Sequence, residues 1–135
     1  MTTGGDVQFG SLRAAHPFWL ASLAGYSGSP MRVISRRFGA AVTCSEMLLD
    51  STVLGAKKKL ARFFTVAPDD HPVLCQVIGN DPDMCVRATR RLLTYGYDAI
   101  ELNLACPVRK VLGKRRGGYA QQHPQIGLRV ARALR

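Results

Sequence analysis

The stretch Tyr97 to Gly118, YDAIELNLACPVRKVLGKRRGG, reads as a buried strand running into a cysteine-bearing, strongly basic loop. From Ala99 to Ala105 the pattern alternates and then turns apolar through Ile100, Leu102 and Leu104, as expected of a strand covered on both faces in a parallel sheet. Cys106-Pro107 ends it, because proline cannot donate to a ladder. Cys106 is thereby left at the strand's C-terminal rim, where ligands bind in α/β barrels and open α/β sheets. Beyond it, Arg109, Lys110, Lys114, Arg115 and Arg116 set five positive charges among glycines. Such a loop suits a polyanion.

Upstream, the same strand-then-helix unit recurs. Phe18 to Ala24, FWLASLA, is a strand closed by Gly25 to Gly28; Ser29-Pro30 then starts a helix with a capping hydroxyl and proline at the first helical position, and Gly39 ends it. Ala40 to Met47 is a second strand with Glu46 near its end. Leu48 to Ala67 holds a weak helical turn and Lys57-Lys58-Lys59, read as a loop or short helix. Pro72 to Gly79, PVLCQVIG, is a third strand; Asn80-Asp81-Pro82 caps a helix with an apolar stripe of Met84, Cys85, Ala88, Leu92 and Leu93, and Gly96 stops it. Downstream of the basic loop, His123-Pro124 opens a last helix. Before all of these, Val7 to Phe9 and Leu12 to Ala14 form a short hairpin around Gly10.

Four successive βα units imply parallel strands with right-handed crossovers. A small doubly wound sheet and the first half of an eight-fold barrel both fit. A barrel takes about 250 residues, so the 135 here are close to half of one. The end in mid-helix at Ala133-Leu134-Arg135 favours a fragment. The expected organisation is a tail and hairpin over 1–16 and a half-barrel over 17–135.

Nineteen Lys and Arg against nine Asp and Glu leave a net charge of +10, and no acid follows Glu101. That excess points to an anionic partner, nucleic acid first. Cys44, Cys75, Cys85 and Cys106 form no C-x-x-C pair and no zinc-like spacing with the three histidines, so they read as reduced thiols and no metal is expected. No apolar run reaches the length of about 20 residues that spans a bilayer, and the N-terminus lacks a secretory pattern. A cytoplasmic protein without membrane attachment is the expectation.

Four motifs in register resemble those of the tRNA-dihydrouridine synthases, FMN-dependent (β/α)8 barrels that reduce particular uridines in tRNA. LASLAGYSGSPMR (20–32) is similar to the family's LAPMAGVTDLPFR, and RRFGAAVTCSEM (36–47) to its second-strand segment ending in TEM. PVLCQVIGNDP (72–82) resembles PVxVQLxGxDP, and IELNLACPVRKV (100–111) resembles IDxNxGCPxxKV. The resemblance covers Val7 to Arg135.

What it implies is specific. Ser22, Leu23 and Ala24 fall where the family's first strand touches the flavin, Gln76 where a glutamine bonds the isoalloxazine ring, and Asn103 where an asparagine lies near flavin and uracil. Cys106 matches the catalytic cysteine, Glu46 a signature position of less definite role, and Arg109 to Arg116 would lie where tRNA phosphates pass. NADPH is the implied reductant of FMN. Hydride at C6 of uracil requires a proton at C5, and an ordinary thiol is mostly protonated at neutral pH. Cys106 is therefore expected to act as a thiol acid, unlike the nucleophilic cysteines whose pKa is depressed. Cys44, Cys75 and Cys85 read as small buried hydrophobes.

The chain departs from the pattern at Ser22-Leu23, where the family has Pro-Met, at Ala105 for glycine, and at Gln121-Gln122 for Leu-Leu. The strand-five lysine, the strand-six histidine, the phosphate loops and the C-terminal RNA-binding domain of the family would lie beyond Arg135, so a completing half-barrel or second chain is an expected partner. Dihydroorotate dehydrogenase, another FMN barrel with an Asn and a Cys-Pro, is the competing enzyme reading. A non-catalytic RNA-binding remnant or truncated product is the competing non-enzyme one.

Overall fold

The structure, a computed structural model, describes residues 5–57 and 62–135. Lys58 and Lys59 of the lysine run lie outside the described residues.

A hairpin comes first, β1 (Val7–Phe9) against β2 (Leu12–Ala14), turning at Gly10 with φ +57°. The sheet then gains β3 (Trp19–Leu20), β4 (Val42–Cys44), β5 (Leu48–Leu49), β6 (Val73–Ile78) and β7 (Ala99–Leu102), every pairing among them parallel. Leu74 faces both Cys44 and Ala99, and Val77 faces both Leu48 and Leu102. One edge of a strand meets one neighbour, so β4 and β5 share one edge of β6 and β7 takes the other. β4 and β5 are thus two pieces of a single second strand. The spatial order is the sequence order without reversal, which rules out the doubly wound sheet and leaves the first four βα units of a (β/α)8 barrel.

The helices are α1 (Ser29–Arg37), α2 (Asp50–Gly55), α3 (Pro82–Leu93), α4 (Arg109–Leu112), α5 (Tyr119–Gln122) and α6 (Pro124–Leu134). Their starts and stops largely follow the sequence signals. Asp81 Oδ1 accepts from Met84 N at 2.9 Å with Pro82 next, and Gly39 and Gly96 end α1 and α3 at φ +96° and +98°, a region in which glycine carries no Cβ penalty. Ser29 differs from expectation. It is the first residue of α1, Gly28 is the cap, and no side chain caps the helix. The segment that sequence left open contains β5 and α2. The α2 C-terminus is held by the Arg91 guanidinium of α3, which donates to the carbonyls of Val53, Leu54 and Ala56 at 2.8, 3.0 and 2.6 Å, a cation where the helix dipole favours one.

The main core lies between sheet and helices, where Val73, Cys75 and Val77 of β6 meet Val53, Ala88, Leu92 and Tyr97. A second cluster joins Ala14, Ala41 and Val42 to Val7, Leu12 and Leu74. Val42 and Leu74 belong to the beginnings of β4 and β6, so the hairpin closes the N-terminal end of the sheet.

Three expected strands are shorter than predicted. β3 stops at Leu20 because Ser27 folds the chain back: its Oγ accepts from Leu23 N at 2.9 Å and donates to Leu23 O at 3.1 Å. The second strand breaks after Cys44 because the Ser45 hydroxyl takes the Gln76 N–H at 3.2 Å. β7 ends at Leu102, with one further bond from Asn103 N to Val77 O at 2.9 Å. Nor is β7 covered on both faces: Glu101 is exposed on the concave side.

Candidate active site

Every residue singled out in sequence sits at or near the C-terminal ends of the parallel strands, with Ser22 after β3, Glu46 after β4, Gln76 within β6 and Asn103 after β7. Side chains alternate across a strand, so Val73, Cys75 and Val77 face the helices while Leu74 and Gln76 face the concave side. The same parity turns Ala99 and Glu101 inward on β7.

On that concave side lies a cavity of about 480 Å³. Phe9, Leu12 and Trp19 line it from the hairpin end, and Ser22, Cys44, Gln76 and Glu101 supply its polar groups. Phe9 and Trp19 meet edge to face, with ring centroids 4.7 Å apart.

One chain of hydrogen bonds organises the rim. The Cys44 thiol donates to Glu101 Oε2 at 2.9 Å, Gln76 Nε2 donates to Glu101 Oε1 at 3.1 Å, and Asn103 Nδ2 donates to Gln76 Oε1 at 2.7 Å. Asn103 Oδ1 in turn accepts from the backbone N–H groups of Ala105 and Cys106 at 3.1 and 3.0 Å. Each amide is therefore locked in one orientation, and the turn bearing Cys106 is tied to the strand beneath. Glu46 has a definite task as well: its Oε2 accepts from Gly25 N at 2.7 Å, joining the loops after the first and second strands.

The four cysteines separate by environment. Burial, reinforced by the Glu101 carboxylate, pushes the Cys44 thiol far above the ordinary range. Burial pushes Cys75 up to about 12, and burial with the nearby Asp50 carboxylate does the same for Cys85. These three stay protonated and inert. Cys106 alone is partly exposed.

A glycine pair supports Cys106 from the far side of its loop. Gly118 N donates to Cys106 O at 3.0 Å. Gly117 has φ +57°, and a Cβ there would stand 2.9 Å from both Cys106 Cβ and Cys106 O. Gly117→Ala must strain the backbone and move Cys106. It is expected to lower stability by roughly 1–3 kcal/mol, read from urea melts; a loss below about 0.5 kcal/mol would show that the loop absorbs the methyl.

The basic segment is more ordered than the expected loop. Residues 109–112 form α4, and the chain turns back through Arg115 at φ +56°. Arg109, Lys110, Lys114 and Arg115 are exposed, but Arg116 turns inward. Its guanidinium lies 3.0 Å from Oδ1 of the fully buried Asp50, and its Nε donates to Asn80 Oδ1 at 3.3 Å. Arg116 is thus removed from the set facing solution.

Ser22, Gln76 and Glu101 are brought to one cavity, and Asn103 joins them through Gln76. Leu23 and Ala24 do not line it, and Leu23 has its own N–H and C=O engaged by Ser27. Cys106 stands outside the cavity lining, connected through Asn103. Glu101 was missed in sequence. The available signal was a lone acid in a strand whose other residues are apolar. Also unread was a buried pair on the helix side, Arg32 with Asp70, 2.7 Å apart. Among the described residues no His, Cys, Asp and Glu group could hold a metal ion, and no helix is long and apolar enough to cross a membrane.

The residues present suit a flavin on one direct observation. The Ser22 hydroxyl is buried, lines the cavity and has no hydrogen-bond partner, an arrangement that costs free energy unless a ligand satisfies it. Gln76 and Asn103 each keep one amide hydrogen uncommitted by the rim chain.

Comparison with known proteins bears on the fold and the family. A variant of NCR from Zymomonas mobilis superposes with a TM-score of 0.65 over 99% of this chain and 55% of that one, at 17% identity, and so shares the fold. tRNA-dihydrouridine synthase B of Xanthomonas axonopodis pv. citri is 29% identical over 95% of this chain, and that of Pseudomonas aeruginosa 32% identical over 82%. The chain spans 39% and 33% of the length of these two relatives. Residues 19–135 match the family model described as Dihydrouridine synthase (Dus). With that match over most of its length, the chain belongs to the dihydrouridine synthase family.

Proposed function

We propose that residues 17–135 are the N-terminal half of an FMN-binding barrel that reduces uridine to 5,6-dihydrouridine in tRNA. The observation that carries the reading is the hydrogen-bond chain from Glu101 through Gln76 and Asn103 to the Cys106 backbone, which couples the cavity to a partly exposed cysteine. A chain of this kind preorganises reacting groups before substrate arrives.

Bound FMN, reduced by NADPH, would supply hydride to C6 of the uracil. The protein's own part is positioning and proton transfer. Ser22 and Gln76 bind and orient the ring system at the polar end of the cavity, with the chain near Leu23 and Ala24 at its rim. Asn103 holds both Gln76 and the Cys106 turn. Cys106 donates its Sγ proton to C5 as the double bond is reduced, leaving a thiolate that solvent reprotonates. The low-polarity walls formed by Phe9, Leu12 and Trp19 keep water from the cavity floor.

Arg109, Lys110, Lys114 and Arg115 would meet tRNA phosphates, contacts that give affinity without sequence choice. The setting is cytoplasmic, and the remaining half of the barrel completes the site.

Full-length protein incubated with FMN, NADPH and unmodified tRNA should produce dihydrouridine, measured by nucleoside mass spectrometry. Oxidation of dihydroorotate with tRNA untouched would overturn the proposal. So would tRNA binding without any flavin uptake.

A further inference from the structure

Arg116 sits in a run of five cations, yet its side chain is only 13% exposed and its partner Asp50 is fully buried. Asp50 opens α2 and accepts from Ser51 N at 2.6 Å. Asn80, just past β6, bridges the same loop twice: Oδ1 accepts from Arg116 Nε at 3.3 Å, and Nδ2 donates to Lys114 O at 3.2 Å. The loop is thus bolted to the ends of two strands through one guanidinium.

That guanidinium is one residue from Gly117, where an added Cβ would stand 2.9 Å from Cys106, and two from Gly118, whose N–H holds Cys106 O. Cys106 has a backbone anchor on each side, Asn103 Oδ1 at its N–H and Gly118 N–H at its carbonyl. The first anchor rests on the strand and the second on Arg116. We propose that the Arg116–Asp50 pair is a positioning clamp for Cys106, and that Arg116 takes no part in binding phosphate. Its charge is already committed, since withdrawing it would strand a buried carboxylate. The proposal rests on the reading of Cys106 as proton donor, but its geometric half can be measured independently.

The measurement uses full-length protein, wild type against Arg116→Met, with Asp50→Asn as the gentler second variant should Arg116→Met fail to fold. Alkylation of Cys106 by iodoacetamide is followed by peptide mass spectrometry, alongside kcat and KM for tRNA. Either variant should raise the alkylation rate several-fold. Each should also lower kcat by about tenfold, the scale expected for a reacting group displaced by a fraction of an ångström. KM for tRNA and its salt dependence should be unchanged.

Unchanged alkylation and kcat in well-folded variants, with only the melting temperature lowered, would overturn the proposal. An Arg116→Met variant with a raised KM for tRNA, a salt slope reduced by about 1 and wild-type alkylation would instead make Arg116 a phosphate contact, which also overturns it. Faster alkylation with unaltered kcat would uphold the clamp and remove Cys106 from its proposed role, separating the two ideas.

Discussion

Cys106→Ala in the full-length protein is expected to lower dihydrouridine formation by about 10²- to 10⁴-fold, the range that a positioned general acid supplies, while NADPH still reduces the bound flavin. The expectation follows from where the side chain stands. Cys106 lies outside the cavity lining and meets it only through Asn103, so removing its sulfur leaves Ser22, Gln76 and their contacts in place. The other three thiols are buried and cannot substitute. Cys106→Ser keeps the shape but offers a far weaker acid, so it should resemble alanine more than cysteine. Rapid-mixing absorbance for the flavin and mass spectrometry of digested tRNA separate the two half-reactions. Unaltered dihydrouridine output in Cys106→Ala would take the proton-donor role away from this residue.

The second large effect concerns folding. Arg32→Leu should lower stability by about 3–5 kcal/mol, as when one member of a buried ion pair is removed. Arg32 and Asp70 are both fully buried; Arg32 Nε donates to Asp70 Oδ2 at 2.8 Å and one terminal nitrogen to Ser27 O at 3.1 Å, while Thr43 Oγ1 donates to Asp70 Oδ1 at 2.9 Å. Leucine at 32 would leave the carboxylate with one hydroxyl and the Ser27 carbonyl with nothing. Ser27 is the residue that folds Leu23 back, so the loop after the first strand should loosen as well. Replacing both charges, in Arg32→Leu/Asp70→Leu, should recover much of the loss. A single-variant loss under about 1 kcal/mol in urea melts would mean that water reaches the abandoned carboxylate.

These effects mark the boundary of what could be read from residues alone. The four βα units, the Asp81 cap with Pro82 and the glycine stops were legible because each depends on neighbours within a few positions. The long-range pairs were not. Arg32 and Asp70 are separated by 38 positions, and Arg116 finds its partner on α2 rather than in its own loop. Counting charge treats all nineteen cations alike, but burial turns Arg32 and Arg116 into internal struts. Met31 and Ile34 of α1, and Phe38 just past its end, stay exposed while Arg32 is buried, the reverse of what hydrophobic patterning suggests. Glu101 was hidden for a related reason: the apolar residues beside it made β7 look covered on both faces, whereas one face looks into the cavity.

The Ser22 to Ala24 segment shows the same limit at the site. Its motif is local and was recognisable, but whether its polar atoms are free to meet a ligand depends on Ser27. The fold-back of the chain uses up Leu23 and leaves the Ser22 hydroxyl open.

The order of the strands bears on how such a sheet is made. Within the parallel sheet, β3, the broken strand β4–β5, β6 and β7 lie side by side in sequence order, and the hairpin that floors the cavity comes before them. Assembly can therefore proceed vectorially as the chain leaves the ribosome, each new strand finding its partner already exposed, with little entropy lost to closing long loops. β6 is the exception to equal standing, since it carries β4 and β5 on one edge and β7 on the other. A ribosome pausing before Val73 would hold back the one strand on which both flanks depend.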